Sequence, residues 1–135
     1  MRDEGMRDEK RETSHEIRRT GYADSTSYVT KDGSQIRELM HPSRHCNRLQ
    51  SLAEATVEPG MRTALHRHGS TEELYHITHG RGRMTLGIET FDVHPGDTIC
   101  IPPGMPHCIE NIGGAALRIL CVCTPAYSHD DTELL

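Results

Sequence analysis

The feature that most constrains the fold is the regular spacing of turns after Gly21. Short apolar runs are separated by turns such as Glu58-Pro59-Gly60, Gly80-Arg81-Gly82, His94-Pro95-Gly96-Asp97 and Ile112-Gly113-Gly114. Proline presets one backbone dihedral and glycine permits positive φ, so these segments favour chain reversal. No stretch of helical periodicity follows Gly21. The pattern therefore predicts an all-β domain, either a sandwich or a barrel.

The apolar runs between these turns are the predicted strands, at residues 51–57, 63–68, 73–78, 83–88, 91–93, 98–101, 106–111 and 116–123. The run 119–123 is apolar at every position. That pattern predicts burial of both strand faces, as in a two-layer barrel or at a subunit contact. We therefore expect a homodimer to which this run contributes.

Charge and length limit the class of protein. The chain has 135 residues and a net charge of -5, which suits one domain and disfavours nucleic acid as the main partner. No apolar run is long enough for a membrane span, so no membrane partner is predicted. Residues 1–20 are predicted to form a polar, flexible arm before a barrel at 21–135. Because residues 1–12 lack the apolar stretch of a signal peptide, we expect a cytoplasmic protein.

The five cysteines, Cys46, Cys100, Cys108, Cys121 and Cys123, do not indicate a disulfide framework. An odd number in a protein expected in the cytoplasm favours free thiols that pack as small apolar side chains. An alternative is that Cys121 and Cys123 bind a metal, since residues two apart on a strand point to the same face.

A more specific metal-binding pattern is His66-Arg67-His68. In a strand the two imidazoles point to the same face, whereas Arg67 points away. A short loop after His68 can bring Glu73 beside them, and His107 from a later segment would complete the site. Three imidazoles and one carboxylate suit a single divalent ion such as Mn, Fe, Co, Ni, Cu or Zn.

These residues lie within two longer frames. The first is Gly60, His66, His68, Glu73 and Gly80, and the second is Gly96, Pro102, Gly104, His107 and Asn111. All ten fixed positions fit the two motifs of the cupin superfamily, which the chain resembles over about residues 50–124. The resemblance implies a double-stranded β-helix, or jelly-roll, barrel. It also implies that His66, His68, Glu73 and His107 are the metal ligands.

Positions within the motifs and the alternation of strand faces distinguish candidate site residues from their neighbours. The seven-residue step to Gly80 selects Glu73 as the ligand and leaves Glu72 exposed. Tyr75 shares the parity of Glu73, which makes it a candidate for the substrate pocket, although a core tyrosine would show the same pattern. Asn111 shares the parity of His107, and we expect it to hold a loop rather than bind metal.

The resemblance leaves three functions open. The chain is similar to small cupins named for the cupin domain of mannose-6-phosphate isomerase, over His66 to Gly80, residues 101–111 and the tail 125–131. That similarity implies a metal-dependent isomerase acting on a sugar phosphate or another small polar metabolite. The same site would serve a dioxygenase, and a module that only binds or senses a small molecule is the third alternative. No general base is apparent, so the catalytic residues stay unassigned.

Overall fold

The computed structural model describes residues 18–135 of the chain. This range contains a short 3-10 helix, Tyr22–Asp24, and no α-helix. It contains eleven strands: β1 Ser27–Val29, β2 Gln35–Met40, β3 Ser51–Val57, β4 His66–His68, β5 Glu72–His79, β6 Gly82–Leu86, β7 Glu89–Val93, β8 Thr98–Ile101, β9 His107–Asn111, β10 Leu117–Thr124 and β11 Thr132–Leu134. No helix in this range could span a membrane. Most of the predicted polar arm, residues 1–17, lies outside the described residues.

The strands form two antiparallel sheets. The six-stranded sheet has the order β1-β2-β3-β10-β5-β8, and the five-stranded sheet has the order β11-β4-β9-β6-β7. Each sheet also pairs strands that are distant in sequence, as β3 beside β10 and β4 beside β9 show. This topology confirms the predicted jelly-roll barrel.

The core lies between the two sheets because the strands alternate in burial. In β3 the residues 51, 53, 55 and 57 are buried and those between them are more exposed. The largest fully buried apolar side chains come from both sheets: Ile77, Met84, Ile101, Ile109, Leu117 and Ile119. Burying an aliphatic side chain of this size stabilises the fold by about 1.5–3 kcal/mol, so the inward face of each strand sets its register.

Most predicted strands are present with shifted ends. The boundaries of β3 and β8 are confirmed, but β4 covers only the last three residues of the predicted strand 63–68. Three strands were not predicted, namely β1, β2 and β11. Each is short or partly exposed; β1 pairs with β2 in a local hairpin, whereas β11 depends on a partner far away in sequence, with Thr132 opposite His68.

The apolar run in β10 has two different faces. Ile119, Cys121 and Cys123 are buried in the barrel, whereas Leu120 and Val122 point outward and are half-buried. The sequence predicted burial of both faces, but in the structure only the inner face is fully buried. The outward residues are the ones available for contact with another molecule.

Asn111 holds a loop, as predicted. Its Nδ2 donates hydrogen bonds to the carbonyl oxygens of Val57 and Ala115, both at 2.8 Å. Its Oδ1 accepts one from the backbone N–H of Gly113 at 2.8 Å. The side chain is 2% exposed, so it satisfies three backbone groups that water reaches poorly.

Candidate metal centre

Three histidines converge inside the barrel. His66 and His68 point to the inner face of β4, and the antiparallel pairing of β4 with β9 places His107 directly opposite His66. Their ring centroids are 4.2 to 5.3 Å apart. One ring nitrogen from each lies within 4.8 Å of the others, and all three residues are buried. The sequence therefore places these rings correctly.

Two of the rings are oriented by backbone carbonyls. Nδ1 of His66 lies 2.7 Å from the carbonyl oxygen of Ala64, and Nδ1 of His107 lies 2.9 Å from that of Met105. A carbonyl only accepts, so each Nδ1 must carry a hydrogen. In the neutral ring the lone pair is then on Nε2, the nitrogen that faces the cluster. Burial first, and then the proximity of His107, lower the pKa of His66, which keeps that ring neutral near pH 7.

A side chain orients the third ring. Nδ1 of His68 lies 3.0 Å from the hydroxyl oxygen of Thr132 in β11. That hydroxyl donates its single hydrogen to the carbonyl of Ser128 at 2.8 Å, so it must accept from His68. Nε2 of His68 therefore also directs a lone pair into the cluster. A hydrogen bond on the remote ring nitrogen is typical of histidines that bind metals.

Glu73 comes from the opposing sheet. Its Oε1 is 3.1 Å from Nε2 of His68 and 3.6 Å from Nε2 of His107. Its Oε2 accepts a hydrogen bond from the Cys123 thiol at 3.4 Å. Glu72 is exposed, as expected from strand parity.

The donor set fits a divalent metal. Nε2 of His107 is buried and has no hydrogen-bond partner, which costs about 1–3 kcal/mol unless something else binds it. Lone pairs of the imidazoles face one another and a carboxylate oxygen, an arrangement that a cation makes favourable. Three nitrogens and one carboxylate suit the borderline first-row ions. The three imidazoles thus converge on a position suited to such an ion, and a Glu73 carboxylate oxygen lies 3.1 Å from one of them.

A cavity beside this cluster leads to the surface. Its free volume is about 40 Å³, which is enough for an ion or a few water molecules. Its polar lining includes Tyr28, Asp32, Ser34, Glu38, Tyr75 and Tyr127. No lysine or arginine of residues 18–135 lines it. The β1–β2 hairpin forms one side of the cavity, so residues before the two sequence frames help to build the site.

Tyr75 is buried next to the cluster. Its ring centroid is 6.0 Å from that of His107, and the residue is 4% exposed. Burial and then the charge of Glu73 raise the pKa of Tyr75, so the hydroxyl keeps its proton and can donate. Its predicted contact with substrate stays a prediction.

The positions of the two cysteines in β10 and of Arg67 bear on two further hypotheses from the sequence. Cys121 and Cys123 line the cavity, but they are not part of the cluster of metal-binding atoms found among the described residues. Burial raises the pKa of both thiols. Arg67 points away from the cluster, as predicted, and forms an ion pair with Glu133 at 2.9 Å.

Residues of the N-terminal hairpin and of the tail also line the site, and no sequence motif marked them. Asp32 and Glu38 line the cavity from the β1–β2 hairpin, and Tyr127 lines it from the tail. The dipeptide Asp32-Gly33, with φ of 92° at Gly33, is a known hairpin signal that would have indicated a turn here. Only the folded structure shows that this turn lies against His66.

Comparison with known proteins agrees with this fold and site. The family model described as "Cupin domain" matches residues 53–123. Protein MJ1618 of Methanocaldococcus jannaschii is 56% identical over 119 residues, which are 88% of this chain and 95% of that protein. Oxalate decarboxylase OxdC of Bacillus subtilis is 38% identical over 73 residues, which are 50% of this chain and 19% of that enzyme.

Solved structures show the same architecture. The polyketide cyclase RemF of Streptomyces resistomycificus superposes with a TM-score of 0.69 at 25% identity, covering 81% of this chain and 80% of that chain. The similarity to the cupin domain of mannose-6-phosphate isomerase has only weak support. It comes from short matches to mannose-1-phosphate guanylyltransferases, such as 76 residues at 32% identity in the Salmonella montevideo enzyme.

Proposed function

The chain belongs to the cupin family, and we propose that it binds one divalent transition metal through His66, His68, Glu73 and His107. The observation that carries the proposal is the convergence of three buried histidine ring nitrogens within 4.8 Å of one another, together with Nε2 of His107, which has no hydrogen-bond partner. The cofactor would be Mn, Fe, Co, Ni, Cu or Zn, all of which accept mixed nitrogen and oxygen ligands.

We propose that the ligand is a small polar metabolite that is neutral or positively charged. The carboxylates of Asp32 and Glu38 and several hydroxyl groups line the cavity, and no lysine or arginine of the described range does. A phosphate group binds best to arginine, lysine or backbone N–H groups. The lining therefore does not favour the sugar phosphate that the sequence suggested, nor a dicarboxylate.

The bound ion would supply a Lewis acid that polarises a carbonyl or hydroxyl oxygen of the ligand. The hydroxyl of Tyr75, which lines the same cavity, would donate a hydrogen bond to that ligand. The same ligands would equally serve a dioxygenase, which is the alternative to this chemistry.

The test is elemental analysis of the purified protein beside two double variants. In His66→Ala/His107→Ala two proposed ligands are lost, whereas His76→Ala/His94→Ala removes two exposed histidines of the same kind. We expect about one transition metal per chain in the wild type and the control, and none in the first variant. Equal metal content in both variants would contradict the proposal.

A second measurement separates the remaining alternatives. Oxygen uptake that requires bound iron or copper would favour the dioxygenase. Metal-dependent turnover without oxygen uptake would support Lewis-acid chemistry. A rise in melting temperature with a metabolite, but no turnover, would identify a binding or sensing module.

We also propose a homodimer formed through the outer face of the six-stranded sheet. Leu52, Val122 and Leu74 are cross-strand neighbours on β3, β10 and β5, and they form an apolar row of which Leu52 is 36% and Leu74 40% exposed. Light scattering after size exclusion should give twice the chain mass, and Val122→Lys should give the monomer. A monomeric wild type at micromolar concentration would contradict this proposal. The cytoplasmic location stays a prediction.

A further inference from the structure

Asp32 is a cavity residue that lies outside the matched family segment, in the turn between β1 and β2. Its Oδ1 accepts hydrogen bonds from the hydroxyl of Thr30 at 2.6 Å, from the hydroxyl of Ser34 at 2.7 Å and from the backbone N–H of Ser34 at 2.9 Å. Its carbonyl oxygen accepts from the N–H of Ala64 at 2.8 Å, two residues before His66. Three donors on one oxygen fix the orientation of the carboxylate.

The other oxygen faces the histidine cluster. Oδ2 of Asp32 is 3.4 Å from Nε2 of His66, and the Asp32 side chain is 11% exposed. This spacing lies between the 3.1 and 3.6 Å that separate Oε1 of Glu73 from Nε2 of His68 and of His107. Two ligand atoms about 2.1 Å from one ion and roughly at right angles are about 3.0–3.4 Å apart. The distance from the Asp32 carboxylate to the His66 ring is therefore similar to the distances from the Glu73 carboxylate to the His68 and His107 rings.

The contact is one that a bound cation would stabilise. Nδ1 of His66 faces the carbonyl of Ala64, which leaves Nε2 facing Oδ2 of Asp32. Oδ1 alone accepts the hydrogen bonds of the turn, so Oδ2 is available for another partner.

We propose that Asp32 is a fifth protein ligand of the metal, supplied by the N-terminal hairpin. The inference rests on the proposed function, because it requires an ion at His66, His68, Glu73 and His107. Two carboxylates neutralise the charge of a divalent ion, and a fifth ligand leaves one position of an octahedral ion open. The site would then bind a neutral or cationic ligand through one atom and would exclude anions that chelate.

The test is a titration of metal-free protein with Co²⁺, followed by its visible absorption and by competition with a chromophoric chelator. Asp32→Asn removes the charge and weakens the donor. Glu38→Gln makes the same change on a carboxylate of the same cavity that hydrogen-bonds Tyr28 at 3.0 Å instead of facing the cluster. Asp32→Ser is a second variant that retains an acceptor for the turn. Melting of each metal-free variant shows that it is folded.

We expect both Asp32 variants to weaken Co²⁺ binding at least about tenfold. They should also change the visible spectrum, because the number of ligands around Co²⁺ sets the intensity of its absorption. Glu38→Gln should match the wild type in both. If the folded Asp32 variants match the wild type, Asp32 is not a ligand and the four-ligand proposal stands. If the wild type itself binds no Co²⁺, the proposed metal function fails and Asp32 fails with it.

Discussion

Thr132 accepts a hydrogen bond from Nδ1 of His68 at 3.0 Å, which connects the C-terminal strand β11 to the candidate metal centre. The two residues are 64 positions apart in sequence. The hydroxyl of Thr132 donates its own hydrogen to Ser128, so the tail fixes which nitrogen of His68 faces the cluster. The tail is therefore part of the site.

Thr132→Val should weaken metal binding about 10- to 100-fold, the usual effect of losing a partner of a metal-binding histidine. The substitution keeps the shape of the side chain but removes the acceptor for Nδ1. Chelator competition measures the change. Thr98→Val is the matched control, because the Thr98 hydroxyl pairs with Nδ1 of the exposed His76 at 2.8 Å. Equal affinities in the two variants would refute the role given to Thr132.

Cys123→Ala should also weaken metal binding, because the Cys123 thiol donates to Oε2 of Glu73 and holds its carboxylate in place. Cys123→Ser should restore most of the affinity by offering a hydroxyl donor. Cys121→Ala removes a thiol of the same strand and cavity whose contact is with the carbonyl of Ile119. It should bind metal like the wild type. If Cys123→Ser binds metal as weakly as Cys123→Ala, the hydrogen bond to Glu73 does not contribute to the metal affinity.

Asp131 should contribute a part of the stability that depends on pH. Its carboxylate accepts hydrogen bonds from the backbone N–H groups of Ser70 and Thr71, in the loop between His68 and Glu73. Burial acts to raise the pKa of Asp131, but these hydrogen bonds lower it below its usual value. A lowered folded-state pKa means that the stabilisation is present above about pH 4 and is lost as the pH falls through the folded-state value.

The measurement for Asp131 is denaturant unfolding at pH 7 and near pH 3. Asp131→Asn should lower the free energy of unfolding at pH 7 by about 1 kcal/mol, and the difference from the wild type should shrink at pH 3. Asp130→Asn changes the neighbouring exposed carboxylate and serves as the control. If the free energies of unfolding of Asp131→Asn and the wild type differ equally at both pH values, protonation of the Asp131 carboxylate does not cause the loss.

Gly80→Ala should destabilise the fold more than Gly60→Ala. Both glycines have positive φ, 83° and 81°, so alanine at either position costs about 1–2 kcal/mol in backbone strain. A Cβ at Gly80 would also lie 2.6 Å from the carbonyl oxygen of Ala116, whereas nothing lies within 4 Å at Gly60. Unfolding in denaturant compares the two variants. Equal losses would mean that the β5–β6 turn can move away from Ala116.

The sequence by itself determined an all-β domain, and its resemblance to the cupin superfamily indicated the barrel and the four candidate ligands. Alternation of apolar residues fixes which strand face is buried, and the His-X-His spacing puts two imidazoles on that face. The step to Gly80 separated the buried Glu73 from the exposed Glu72, and parity placed Asn111 on the inner face. The face assignments follow from local geometry, because the side-chain period of a strand is two residues wherever the strand lies in the fold.

Tertiary structure alone decided what surrounds those ligands. Asp32, Thr132 and Cys123 reach the site from strands or turns that are remote in sequence, and only sheet pairing brings them together. A single carboxylate or hydroxyl in a polar stretch has no periodicity that marks it. The electrostatic character of the cavity was undetermined for the same reason, since the charge of a pocket depends on which distant loops close over it.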